Sequence, residues 1–178
     1  PVHALVHATF DLNADRNHLN ETEANKYILK TICDTLIELA LLTTSESVNY
    51  APLALLSTIR DFPNELSWDD FSIRDYYLEV VAASKVFPTI DSKYISFAEK
   101  PRFYDSNIAD LLSGDVFATL MPPTDNISIR AMLKSIAKYK KTSLRYPYGE
   151  ITTGINVVLP SFQIKERAAL WLAFINEY

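Results

Sequence analysis

The most regular alternation of apolar and polar positions lies at 126–141, where Ile129, Met132, Leu133, Ile136 and Ala137 recur at i, i+3, i+4, i+7 and i+8. At 3.6 residues per turn these side chains share one side of a helix, so the segment predicts an amphipathic helix. The same period in Ile28, Leu29, Ile32, Leu36, Leu39 and Ala40 predicts a long helix over 21–42, with Asn20 and Glu23 as its capping box. Pro52 suits a first helical turn and Pro63 closes the segment behind it, which predicts a short buried helix at 52–61. Ser72 and Asp75 repeat the cap signature before a helix whose apolar face is read as Tyr76, Val80, Ala83 and Phe87. SNIADLLSG at 106–114 reads as two turns ending on Gly114, and Ser161 as the cap of a last helix with Ile164, Ala168, Trp171, Leu172 and Ile175 on one stripe.

Elsewhere the period fails. Asn and Asp crowd 11–20, so residues 1–19 are expected to form an N-terminal arm or short strand and residues 20–178 a single helical domain. The β-branched run at 155–158, beside both late glycines, suggests a short β-hairpin near 150–159. The expected fold class is mostly α: a single-domain bundle of about six helices.

Composition narrows the chemistry. Three glycines in 178 residues cannot furnish the loops that cradle phosphates, bind dinucleotides or present a nucleophile elbow. Cys33 is the single cysteine and falls on the apolar side of the first long helix, the setting of a structural thiol. His3 and His7 are spaced i, i+4, but zinc needs a third and fourth ligand and only His18 or Cys33 is at hand, without a known spacing. Carboxylates such as Asp69–Asp70, Asp105, Asp110 and Asp115 form no paired signature. No metal, cofactor or catalytic residue is therefore expected. No run of apolar residues is long enough to span a bilayer, and the N-terminal stretch lacks the basic flank of a secretion signal. The expected location is the cytoplasm or a virion.

Charge supplies the one positive feature. The chain holds 17 Lys+Arg against 22 Asp+Glu, for a net charge of −5, yet residues 126–149 contain no acid. Arg130, Lys134, Lys138, Lys140, Lys141 and Arg145 lie there, and removing those six leaves 11 cations against 22 carboxylates. On a helix, Arg130, Lys134, Lys138 and Lys141 fall on one line opposite the apolar stripe, with Lys140 beside it and Arg145 beyond its end. Like charges four residues apart repel by a few tenths of a kcal/mol per pair, so a counter-charge is expected, from the macrodipole, an acidic surface or a polyanion. WDD at 68–70 and the acidic first helix are the acidic surfaces on offer. Successive cations about 6 Å apart roughly match the phosphate repeat of an extended single strand, and Tyr139, Tyr146 and Tyr148 offer rings for base stacking.

These features point to a non-enzymatic, self-assembling structural subunit of the viral coat or nucleocapsid kind. Its partners would be copies of itself and the backbone of single-stranded nucleic acid, held without reading sequence, and no membrane. The alternatives are a helical adaptor that binds an acidic protein, or an enzyme whose site is assembled from distant residues.

Overall fold

Apolar period and end-capping chemistry decide where the helices run. The computed structural model describes residues 8–14, 18–44, 47–57, 66–102, 120–121, 126–145, 149, 152–153, 156 and 159–177. Among them the chain is mostly helical, with five helices and two small antiparallel hairpins. Helix α1 (Glu23–Leu42) begins at Thr22, whose side chain accepts from the Asn25 amide, and not at Asn20 as the capping box implied. Asn20 is held elsewhere: its Nδ2 donates to Asp11 Oδ1 and to the Leu12 carbonyl, and its own carbonyl accepts from Asn25 Nδ2. Leu29, Cys33, Leu36, Ile37 and Ala40 form the buried stripe of α1, whereas Leu39 is exposed.

Helix α2 (Ala51–Leu56) carries Pro52 in its first turn, as expected, and buries Pro52, Leu53 and Leu56. Two-residue strands β1 (Ser67–Trp68) and β2 (Phe71–Ser72) pair across the Asp69–Asp70 turn, and Ser72 then caps helix α3 (Ile73–Ala83) by accepting from the Asp75 amide. The buried face of α3 is Ile73, Tyr77, Leu78, Val81 and Ala82, one residue round from the predicted face; Tyr76 and Val80 are half-buried and Ala83 is exposed. The rotation follows from packing, because α3 is covered by α1 on one side and by the later helix 127–139 on the other. Phe87 leaves the helix and joins β3 (Phe87–Pro88), which pairs with β4 (Tyr94–Ile95). A 3₁₀ turn at Phe97–Glu99 follows, with a reciprocal Ser96/Glu99 cap.

Helix α4 (Ile127–Tyr139) is the segment with the most regular apolar period. Asn126 caps it, accepting from the Ser128 and Ile129 amides, and all five expected residues are buried. Helices α1 and α4 each pack on α2 and α3, so one core runs through Leu29, Leu53, Tyr77, Leu133 and Ile136. Each such aliphatic side chain contributes roughly 1.5–3 kcal/mol on burial. Tyr77 spans this core and donates its hydroxyl to the Leu56 carbonyl at 2.6 Å, closing the C-terminal end of α2.

Near 150–159 the expected hairpin is not found among the described residues: Gly149, Thr152, Thr153 and Asn156 are helical. The Thr152 and Thr153 hydroxyls both donate back to the Gly149 carbonyl, which favours a turn of helix over an extended chain. Helix α5 (Ile164–Glu177) starts behind a 3₁₀ turn that contains Ser161, and Glu166 accepts from the Gln163 amide in place of a Ser161 cap. The stripe read from its spacing faces outward. Ile164, Trp171, Leu172 and Ile175 are 84%, 41%, 62% and 69% exposed and Ala168 is exposed, while Leu170 and Phe174 are buried. The expected 106–114 helix and residues 1–7, with His3 and His7, lie outside the described residues.

Residues 10–14 and 18–20 pair with one another. Leu12 and Leu19 form an antiparallel bridge, and Phe10 and Leu19 pack on the core. Among the described residues, no helix is long and apolar enough to cross a membrane.

Candidate nucleic-acid interface

Helix α4 buries one flank and turns the other outward, and that division sorts the cations. Arg130, Lys134 and Lys138 are exposed along one line, as their i, i+4, i+8 spacing requires. Among the described residues, no carboxylate comes within 4 Å of the ammonium groups of Lys134, Lys138 or Lys141. Lys138 also borders a shallow cleft shared with Arg74, Asp75 and Ser135, so α3 brings Arg74, an exposed cation, beside the row. Nothing in the sequence marks Arg74 for this place, because only the packing of α3 on α4 puts the two together.

Two cations depart from the expected line. The helix ends at Tyr139, so Lys140 is its cap and Lys141 lies outside it. Lys141 has φ 51°, in the left-handed region, while its amide donates to the Lys138 carbonyl and the Thr142 amide reaches back to Ala137. That pair of bonds is a Schellman closure, which glycine usually completes. A lysine there costs about 1 kcal/mol relative to glycine. Lys141 and Arg145 remain exposed, so they extend the positive surface but not the helical line.

Lys140 turns away altogether. Its ammonium lies 2.7 and 2.6 Å from the two carboxylate oxygens of Glu79 on α3, and 5.5 Å from the centre of the Tyr139 ring. The hydrogen bond from Lys140 holds the Glu79 carboxyl below its ordinary range, with a further bond from Tyr139. Burial, and then Glu79, push the Tyr139 hydroxyl upward. Tyr139 is half-buried and packs against the core, so it is not the open stacking face that its place in the sequence suggested. Tyr146 and Tyr148 lie outside the described residues. Among the described residues the acidic counterpart of the cationic helix is thus Glu79, and it is taken up by Lys140. Asp70 of the WDD turn pairs with Lys26 instead, both oxygens 2.7 Å from its ammonium, and anchors the first hairpin on α1.

The remaining candidates resolve simply. Cys33 is fully buried, and burial pushes its thiol up to about 12, so the reactive thiolate is suppressed at neutral pH. His18 is exposed, and among the described residues no three His, Cys, Asp or Glu side chains are placed to share a metal ion. No family model, curated protein or solved structure matches the chain. Its chemistry is therefore read from its own surface.

Proposed function

We propose that the protein is a non-enzymatic structural subunit of the coat or nucleocapsid kind, which associates with copies of itself and holds the backbone of single-stranded nucleic acid along α4. In this reading residues 20–178 act as one helical domain of about six helices, working in the cytoplasm or a virion. The observation that carries it is the exposed line Arg130, Lys134 and Lys138, continued by exposed Lys141 and Arg145, on a chain whose net charge is −5. Backbone contacts of this kind neutralise charge without reading sequence. The exposed apolar stripe of α5 and the carboxylates exposed on α1 supply surfaces on which a second copy can pack.

Binding of a labelled single-stranded oligonucleotide across a salt series tests the proposal. Five phosphate contacts give a log–log slope of roughly −3.5. Charge reversal at Lys134 and Lys138 together should remove most of the affinity while leaving the fold intact, since both side chains are exposed. A slope near zero, or no binding at about 50 mM salt, overturns the nucleic-acid reading and favours an acidic protein as partner. A monomer at every concentration in light scattering overturns the assembly reading.

A further inference from the structure

A cleft of about 240 Å³ opens where the first turns of α3 meet the last turns of α4. Arg74, Asp75 and Leu78 line it from α3, and Ser135, Lys138 and Tyr139 from α4. Leu78 is buried, Ser135 and Tyr139 are half-buried, and Arg74, Asp75 and Lys138 are exposed. The volume falls below the range of sites that enclose a whole small molecule. An open cleft of this size suits one link of a longer chain that enters it and leaves again.

Neither cation of the cleft is engaged. Among the described residues, no carboxylate lies within 4 Å of the charged group of Arg74 or Lys138, and neither side chain donates a hydrogen bond. They stand on opposite walls, so a group placed between them meets both. Asp75 is the one carboxylate of the lining, and two cations less one carboxylate leave +1. Location adds to charge. Lys138 ends the exposed line on α4, so a polyanion lying along Lys134 arrives at the mouth of this cleft. The next cation in sequence, Tyr139 intervening, is Lys140, which Glu79 holds off the line. Arg74 offers a guanidinium from the neighbouring helix in its stead.

We propose that one phosphodiester of a single strand seats in this cleft, gripped by Arg74 and Lys138 together; the seat rests on the nucleic-acid function proposed for α4 and gives it a second helix. The strand then turns at Lys138 from α4 onto α3. A guanidinium presents two parallel N–H groups to two phosphate oxygens, and the ammonium supplies a point charge from the opposite wall. The Ser135 hydroxyl is a further donor in the lining. A diester carries one negative charge, equal and opposite to that of the cleft. Leu78 and the edge of Tyr139 give the neighbouring sugar carbons an apolar surface. Contacts of this kind fix the path of the backbone and read no sequence.

A double-mutant cycle on the full chain, read as binding of a labelled oligodeoxythymidine, tests the seat. Arg74→Ala should weaken binding about tenfold at roughly 0.1 M salt. Its melting temperature should not change, because Arg74 is exposed and has no side-chain partner among the described residues. Two residues on one phosphate are coupled, so Lys138→Ala should cost the Arg74→Ala protein markedly less than it costs the parent. Lys134→Ala acts on a different phosphate, and its loss should multiply with that of Arg74→Ala. Ser135→Leu keeps every charge but fills the cleft, and should weaken binding several-fold. No binding of the strand by the parent protein overturns the seat together with the function of α4. Parent binding that falls with Lys134→Ala yet ignores both Arg74→Ala and Ser135→Leu overturns the seat alone. So does a multiplicative loss for Arg74→Ala with Lys138→Ala, which puts the two cations on separate groups. Poly-glutamate bound with the same coupling overturns the phosphodiester and makes the cleft a seat for an acidic protein.

Discussion

The side-chain amide of Asn25 and the backbone of Asp11 hold each other in both directions: Oδ1 accepts from the Asp11 amide at 2.9 Å, and Nδ2 donates to the Asp11 carbonyl at 2.7 Å. Nδ2 also donates to the Asn20 carbonyl at 2.8 Å, so one fully buried side chain at the start of α1 holds both Asp11 and Asn20. Asn25→Ala takes the partner from the Asp11 amide, while the Asp11 carbonyl keeps the Asn20 amide and the Asn20 carbonyl keeps the Thr22 amide. The expected loss is about 2–3 kcal/mol, with amide exchange at Asp11 rising well before global unfolding. Unchanged protection at that amide would show that Phe10 and Leu19 alone hold the segment.

Removing the Tyr77 hydroxyl tests the core. Tyr77→Phe keeps the ring among α2, α3 and α4 but takes the donor from the buried Leu56 carbonyl. A loss of about 1–3 kcal/mol in chemical denaturation is expected, with an unchanged m-value because the exposed area on unfolding is the same.

Stability should fall at both ends of the pH scale, for opposite reasons. The hydrogen bond from Lys26 lowers the Asp70 carboxyl, and the bond from Lys140 lowers that of Glu79. A lowered carboxyl contributes stability that is fully present above its ordinary value, 3.8 for Asp70 and 4.5 for Glu79, and lost as pH falls through the folded value. The bond to Asp70 raises Lys26, whose contribution is present below its ordinary 10.5 and lost as pH rises through the folded value. Asp70→Asn with Glu79→Gln should flatten the acid limb of a melting-temperature profile, and high salt should shrink it in the parent protein.

Lys141→Gly separates folding from binding. The substitution supplies the residue that the left-handed position beyond α4 favours, so it should stabilise the protein by about 1 kcal/mol and raise Tm by a few degrees. The same change removes one exposed cation, so the salt slope for single-stranded nucleic acid should become shallower by roughly 0.7. A gain in stability with an unaltered slope would exclude Lys141 from the interface.

Cys33 should be silent in the folded state. With its thiol buried and pushed up to about 12, labelling by an aromatic disulfide reagent is expected to follow global unfolding and to cease under strongly native conditions. Fast labelling of the native protein would contradict the packing of α1 on α3.

What the sequence makes legible depends on how locally each feature is determined. Helix α4 could be read because its five core residues, its Asn126 cap and its charged flank all repeat within 13 residues. The Ser72 cap of α3 is equally local, but the core face of α3 is set by two neighbouring helices, and the stripe read from spacing is one residue out. For α5 spacing identified the stripe but not its direction: Ile164, Trp171, Leu172 and Ile175 share a face, and no local rule says whether water or protein meets it. The hairpins escaped notice because strands of two residues show no alternation. The ion pair of Lys140 with Glu79 spans 61 positions, so an acid-free segment gave no hint that one of its cations was already neutralised. For the same reason the cleft between Arg74 and Lys138 was invisible before α3 and α4 were seen together.

Trp171 stands 41% exposed among the outward apolar residues of α5, whereas Trp68 is half-buried with its ring centroid 6.0 Å from that of Phe71. The chain contains two tryptophans only, so replacing Trp68 by Phe leaves a single fluorophore, on the exposed apolar face of α5. Its emission maximum then becomes an optical gauge of coverage: red in dilute monomer, moving to the blue as that face leaves water. Whether a partner covers that face, and how fast, can thus be read in real time without attaching a dye.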